Sequence, residues 1–67
     1  MKISYAPLWK TMAERNISTY CLIKDHGINA RTINNLKHDV SITMNTLCKL
    51  CEILSCTPNE IVEFVKD

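Results

Sequence analysis

Arg31, Asn34, Asn35 and His38 are the residues of this chain whose types and spacing most clearly suit a chemistry. On a helix that turns by about 100° per residue, Ile33 and Leu36 fall on one side and these four on the other. All four hydrogen-bond through planar groups. Arg bonds bidentately to the outer edge of guanine, and Asn does the same to adenine. Thr32 and Lys37 flank this face, where contacts to a phosphate backbone are natural. The N-terminus of the same helix, entered through Asn29, offers free N–H groups that also suit phosphate. A polar face opposite an apolar pair is equally what any solvated surface helix presents, so the surrounding elements must decide between the two.

Other chemistries find less support. Cys48 and Cys51 form a C-x-x-C, and Cys21 and Cys56 complete the four cysteines. A structural zinc site needs about four thiolate or imidazole ligands converging in a tetrahedron, usually with pairs presented by a loop or knuckle. Here the pair lies within a helical pattern, and Cys51 shares an apolar face with Leu47 and Leu54. Free cysteine at such a position packs as a small hydrophobe. Neither His26 nor His38 has a Ser or Cys at a spacing that makes a nucleophile–base pair. His26 near a helix end reads as a dipole partner or a solvated residue. Glu52, Glu60 and Glu63 read as a solvated acidic face. A single glycine, Gly27, excludes a phosphate-cradling glycine loop. No metal, cofactor or small-molecule substrate is expected, and neither is an enzyme, because so short a chain holds no sizeable pocket.

The elements that must carry the polar face are read from caps and apolar spacing. With 67 residues, the chain is expected to form one domain over 1–67 with an economical core. One glycine and two prolines favour helices over the tight turns of a sandwich or barrel. A first helix, capped by Ser4 with Pro7 in its opening turn, carries Leu8, Trp9, Met12 and Ala13 and ends near Arg15–Asn16. Ser18 caps a second helix from Thr19 to about His26, with Leu22 and Ile23 inward. Gly27 closes it, where positive φ is expected. Asn29 caps the third helix, Ala30 to His38. After a polar connection from Val40 to Ile42, Thr43 caps a fourth helix with Leu47, Leu50, Cys51 and Leu54 on its apolar face and Met44 and Cys48 beside it. Thr57-Pro58-Asn59-Glu60 reads as the capping box of a fifth helix carrying Ile61, Val62, Phe64 and Val65. No convincing strand is found. The expected class is all-α: five helices, the second and third joined through Gly-Ile-Asn.

The run from Ser18 to Lys37 resembles the helix-turn-helix of the phage repressor/Cro family, also called the XRE family. Leu22 before the turn, Gly27 within it, Ile28 after it, and Ile33 and Leu36 in the second motif helix carry the match. Thr46 to Val65 looks like the fourth and fifth helices of a short, stand-alone bacterial branch, and with Leu8-Trp9-Lys10 the resemblance covers nearly the whole chain. Two positions depart from the pattern: bulky Ile23 replaces a customary small Ala, and His26 replaces an apolar residue before the turn glycine. The resemblance implies a compact lambda-repressor-like fold and a sequence-specific regulator, a repressor, binding double-stranded DNA. The second motif helix then enters the major groove, with Ala30, Arg31, Thr32, Asn34 and Asn35 reading bases. Ser18, Thr19, Asn29, Lys37 and His38 would meet the DNA backbone, as would Ser41, Thr43 and Asn45 in the next connection. It also implies a homodimer on a two-fold symmetric site, for which Val62, Phe64 and Val65 are the candidate interface.

Charge is consistent with a chain that turns one side to a polyanion. The net charge is +1. Residues 1–40 hold Lys2, Lys10, Arg15, Lys24, Arg31 and Lys37 against Glu14, Asp25 and Asp39, an excess of +3. Residues 41–67 hold Lys49 and Lys66 against Glu52, Glu60, Glu63 and Asp67, a deficit of −2. Nothing near Met1 reads as a secretory signal and no run is long enough to span a bilayer, so a cytoplasmic, nucleoid-associated bacterial or phage protein with reduced thiols is expected. The alternative is a protein-interaction module, antitoxin-like or a subunit, built on the same helical fold. It requires a more apolar exposed face, whereas DNA binding requires Arg31, Asn34 and Asn35 exposed together.

Overall fold

The computed structural model describes residues 1–67. It is mostly helical. A short strand β1 (Lys2–Ser4) leads into α1 (Ala6–Arg15), followed by α2 (Thr19–His26), α3 (Ala30–Lys37) and α4 (Met44–Leu54). A single 3-10 turn, Pro58–Glu60, then precedes a second short strand, β2 (Glu63–Val65). No helix is long and apolar enough to cross a membrane.

Three of the four helix starts obey the capping logic of their sequence. The Ser18 hydroxyl accepts from the Cys21 N–H at 3.1 Å, the Asn29 side-chain oxygen from the Arg31 N–H at 2.7 Å, and the Thr43 hydroxyl from the Thr46 N–H at 3.2 Å. Each satisfies one of the amide donors that the first turn of a helix leaves free. The start of α1 differs from expectation. Ser4 belongs to β1, and α1 begins at Ala6 after Tyr5, which makes no side-chain cap. The Ser4 hydroxyl instead accepts from the Ala6 N–H at 3.2 Å.

The core is a cluster of ten residues: Tyr5, Leu8, Met12, Leu22, Ile28, Ile33, Leu36, Leu50, Leu54 and Ile61. All four helices contribute, and α2 and α3 each turn a narrow apolar stripe inward. Several expectations of apolar cover fail, among them Met44, 80% exposed, and Cys48, also exposed, on α4. Ile23 is 41% exposed, so α2 buries Leu22 alone. Ala13 is exposed, and the polar Thr11 is buried in its stead. Thr11 is accommodated because its hydroxyl donates to the Glu60 carbonyl at 2.8 Å, 49 residues away in sequence. A buried hydroxyl without such a partner would be costly.

The segment expected to form a fifth helix does not. Thr57-Pro58 starts a helical turn, but the chain extends after Glu60, and β2 pairs antiparallel with β1 in the register Lys2–Val65, Ile3–Phe64 and Ser4–Glu63. The expected reciprocal capping box is absent as well. The Thr57 hydroxyl bonds to the Asn59 side-chain oxygen and reaches Glu60 Oε1 at 3.5 Å, while no backbone N–H bonds to it. Glu60 points its other carboxylate oxygen towards Arg15, 3.9 Å away. The physical reason lies in competition. A helix of this length gains few backbone bonds for its nucleation cost, whereas Val62, Phe64 and Val65 favour extended backbone and β1 supplies a ladder for it.

Candidate nucleic-acid interface

The geometry between α2 and α3 is set by Gly27. It adopts φ 68° and ψ 21°, the left-handed conformation that a side chain disfavours. The chain then bends so that the Ile28 N–H returns to the Leu22 carbonyl at 3.0 Å, and both Ile28 and Leu22 bury in the core. Asn29 follows in extended conformation and caps α3. Two short helices joined by a left-handed glycine, with one apolar side of each fastened into a common core, form a helix-turn-helix.

On α3, Ile33 and Leu36 are buried, and the opposite side faces solvent. Ala30, Arg31 and Asn34 are exposed, and Thr32 and Asn35 are half-buried at its borders. The base-reading candidates therefore share one helix surface, with Arg31 and Asn34 free of side-chain partners. The backbone candidates divide into three places. Ser18 and Thr19 stand at the start of α2, Asn29 at the start of α3, and Lys37, His38, Ser41, Thr43 and Asn45 at and beyond its end. Ser18, Asn29, Lys37, His38, Ser41, Thr43 and Asn45 are exposed, and Thr19 is half-buried. Several acceptors are already in use. Ser18, Asn29 and Thr43 hold helix caps, and His38 Nδ1 lies 2.8 Å from the Asn34 carbonyl, a bond that makes Nδ1 the donor.

Two residues that the motif reading passed over organise the end of α3. Asp39 takes φ 56°, and its side-chain oxygen accepts the Tyr5 N–H at 3.1 Å. The Tyr5 hydroxyl donates to the Val40 carbonyl at 2.8 Å, and Tyr5 is only 2% exposed. Burial, and next the charge of Asp39, raises the Tyr5 phenol above its ordinary value of 10.0. Sequence offered one signal: an Asp directly after a helix end, a residue type that tolerates left-handed backbone. Its partner, 34 positions earlier, left none.

Three of the four thiols are raised above the ordinary cysteine value. Burial raises Cys51 and Cys56 above their ordinary value of 9.0, and the bond that Cys21 donates to Asp25 at 3.3 Å raises Cys21. Thiols held protonated are weak nucleophiles and weak ligands. No cluster of three or more His, Cys, Asp or Glu converges as a metal site. Next to Ser41, an apolar groove runs between the sheet and the start of α4, lined also by Ile3, Ile42, Met44, Leu47, Val62 and Phe64. Met44 is 80% exposed and Phe64 65%.

Comparison with known proteins agrees with this geometry. A family model for the Cro/C1-type HTH DNA-binding domain matches residues 7–67, and the chain belongs to that family. The fold is similar to the crystal structure of the transcriptional regulator VanUg (Form II). The TM-score is 0.89 at 26% sequence identity, over 98% of this chain and 88% of that one. No curated protein sequence matches it.

Proposed function

We propose that residues 1–67 act as one sequence-specific DNA-binding domain that regulates transcription as a repressor, by inserting α3 into the major groove. The reading is carried by one observation: within a Cro/C1-type helix-turn-helix, α3 exposes Arg31 and Asn34 beside Asn35 on the side away from the core. Ala30, Arg31, Thr32, Asn34 and Asn35 read base edges, Arg31 by a bidentate bond to a guanine. The exposed caps at Ser18 and Asn29, the half-buried Thr19, and Lys37, His38, Ser41, Thr43 and Asn45 engage phosphates. A net charge of +1 implies few phosphate contacts per domain. We propose that a homodimer on a two-fold symmetric site compensates, with Phe64 in its interface, and that the protein works in the cytoplasm where its DNA lies.

Selection from a randomised duplex pool at two salt concentrations, with wild type and Arg31→Ala in parallel, tests this directly. The expected result is a two-fold symmetric motif for wild type. Arg31→Ala relaxes one position of it and loses about 1–3 kcal/mol of discrimination there. Equal, weak and equally salt-sensitive binding by both proteins would leave only nonspecific charge attraction. The exposed apolar groove would then favour the protein-interaction module.

A further inference from the structure

We infer that Tyr5 and Asp39 form a tether that positions the connection between α3 and α4 for its phosphate contacts, so that both residues control DNA affinity without touching DNA. The inference rests on the DNA-binding reading proposed above. Its starting point is the residue at the end of α3. The Asp39 N–H returns to the Leu36 carbonyl at 3.5 Å and the Val40 N–H to the Asn35 carbonyl at 2.8 Å, the paired bonds of a Schellman helix end. The left-handed residue of that motif is most often glycine, because a Cβ is disfavoured there. This chain does use glycine at the end of α2, where Gly27 has φ 68°. At the end of α3 it places an aspartate at φ 56° instead.

The side chain explains the choice. Asp39 Oδ1 accepts the Tyr5 N–H, and the Tyr5 hydroxyl donates to the carbonyl of the very next residue, Val40. One residue thus holds both sides of the left-handed corner, and its side chain is buried as part of the core cluster. Beyond the corner, Ser41, Thr43 and Asn45 are exposed, so their placement depends on the direction in which the chain leaves Asp39. Electrostatics argues the same way. A carboxylate beside a phosphate-binding surface opposes binding, so its presence calls for a compensating role.

Charge and position are separable by two substitutions at one site. Asp39→Asn removes the charge, keeps an acceptor oxygen for the Tyr5 N–H and tolerates left-handed backbone. Asp39→Gly removes the same charge and the acceptor, while easing the backbone. Affinity for the selected duplex, the thermal midpoint and amide exchange over residues 40–45 of the free protein are measured for wild type, both variants and Tyr5→Phe. Asp39→Asn is expected to bind at least as tightly as wild type. Asp39→Gly keeps a midpoint near wild type, yet binds roughly three- to tenfold more weakly and exchanges faster over 40–45. Tyr5→Phe, which removes the hydroxyl with its bond to Val40 and its backbone bond at Ile42, shifts affinity and exchange in the same direction. Equal affinities for Asp39→Asn and Asp39→Gly would overturn the tether and leave a charge effect alone. Failure of wild type to select any duplex is a different result: it would remove the DNA-binding reading and this inference with it.

Discussion

Gly27 and the half-buried thiols show how single residues act through backbone conformation and protonation. A Cβ built at Gly27 meets nothing within 4 Å, so substitution there is opposed by backbone conformation alone. Gly27→Ala is therefore expected to destabilise by about 1 kcal/mol, a drop of several degrees in thermal midpoint for a domain of this size. Chemical denaturation of the two proteins checks the value. The raised thiols make a pH prediction. Cys51 and Cys56 hold their protons in the folded state beyond the ordinary 9.0, while the unfolded chain ionises there. The unfolded state thus binds fewer protons, and stability falls as pH rises. Their contribution is complete below pH 9.0 and is lost above it, with Tyr5 adding its own loss from 10.0 upward. Urea midpoints measured from neutral to alkaline pH should decline along that course. Replacing Cys51 and Cys56 together by Ala should flatten its first part.

Among the elements, capping separates two starts that look alike in sequence. Ser18 and Thr57 both precede a helical pattern, but only Ser18 receives a backbone N–H. Ser18→Ala is expected to cost about 1 kcal/mol, and Thr57→Ala less than about 0.5 kcal/mol. Thermal melts of the two variants decide it, and equal losses would mean that Thr57 also caps in solution. The same contrast explains the missing fifth helix. The spacing of Ile61, Phe64 and Val65 fits one helical face, and Val62, Phe64 and Val65 also suit a strand, so a short apolar run leaves both open. What closes the question is β1, whose Ile3 pairs with Phe64. The Thr11 bond to Glu60 and the Arg15 Nε bond to the Leu54 carbonyl at 3.0 Å then hold the end of α4 and the turn after it against α1.

For the molecule as a whole, the two halves of the chain that differ in charge contribute differently to its surfaces. The polar side of α3 belongs to the basic half of the chain, whereas β2 and the groove wall formed by Val62 and Phe64 lie in the acidic half. A surface phenylalanine 65% exposed beside Met44 at 80% is more apolar surface than the core of one domain accounts for. In the proposed homodimer, Phe64→Ser is expected to shift sedimentation equilibrium towards monomer by weakening that contact. It should also weaken binding to a two-fold site far more than to a half-site, because the linked second contact is lost. An unchanged association constant would move the interface elsewhere. The salt dependence of binding should be shallow for each domain, as few phosphates are neutralised.

Much of the fold and the face of α3 was legible from local signals. Ser18, Asn29 and Thr43 act as caps, Gly27 takes positive φ, and Ile33 and Leu36 bury opposite Arg31 and Asn34. Each of these depends on residues within a few positions of one another, so composition and spacing carry the information. The sheet, the burial of Thr11 and the tether from Tyr5 to Asp39 were not legible. Each joins residues 34 or more positions apart, whose types look ordinary in isolation. Ile23 failed for a related reason. An apolar side chain on a helix buries only where a neighbouring element leaves room for it, and α2 keeps room for Leu22 alone. Local backbone preferences write the helices and their polar faces into the chain, while long-range packing alone selects which apolar residues are covered and how the end of α3 is held.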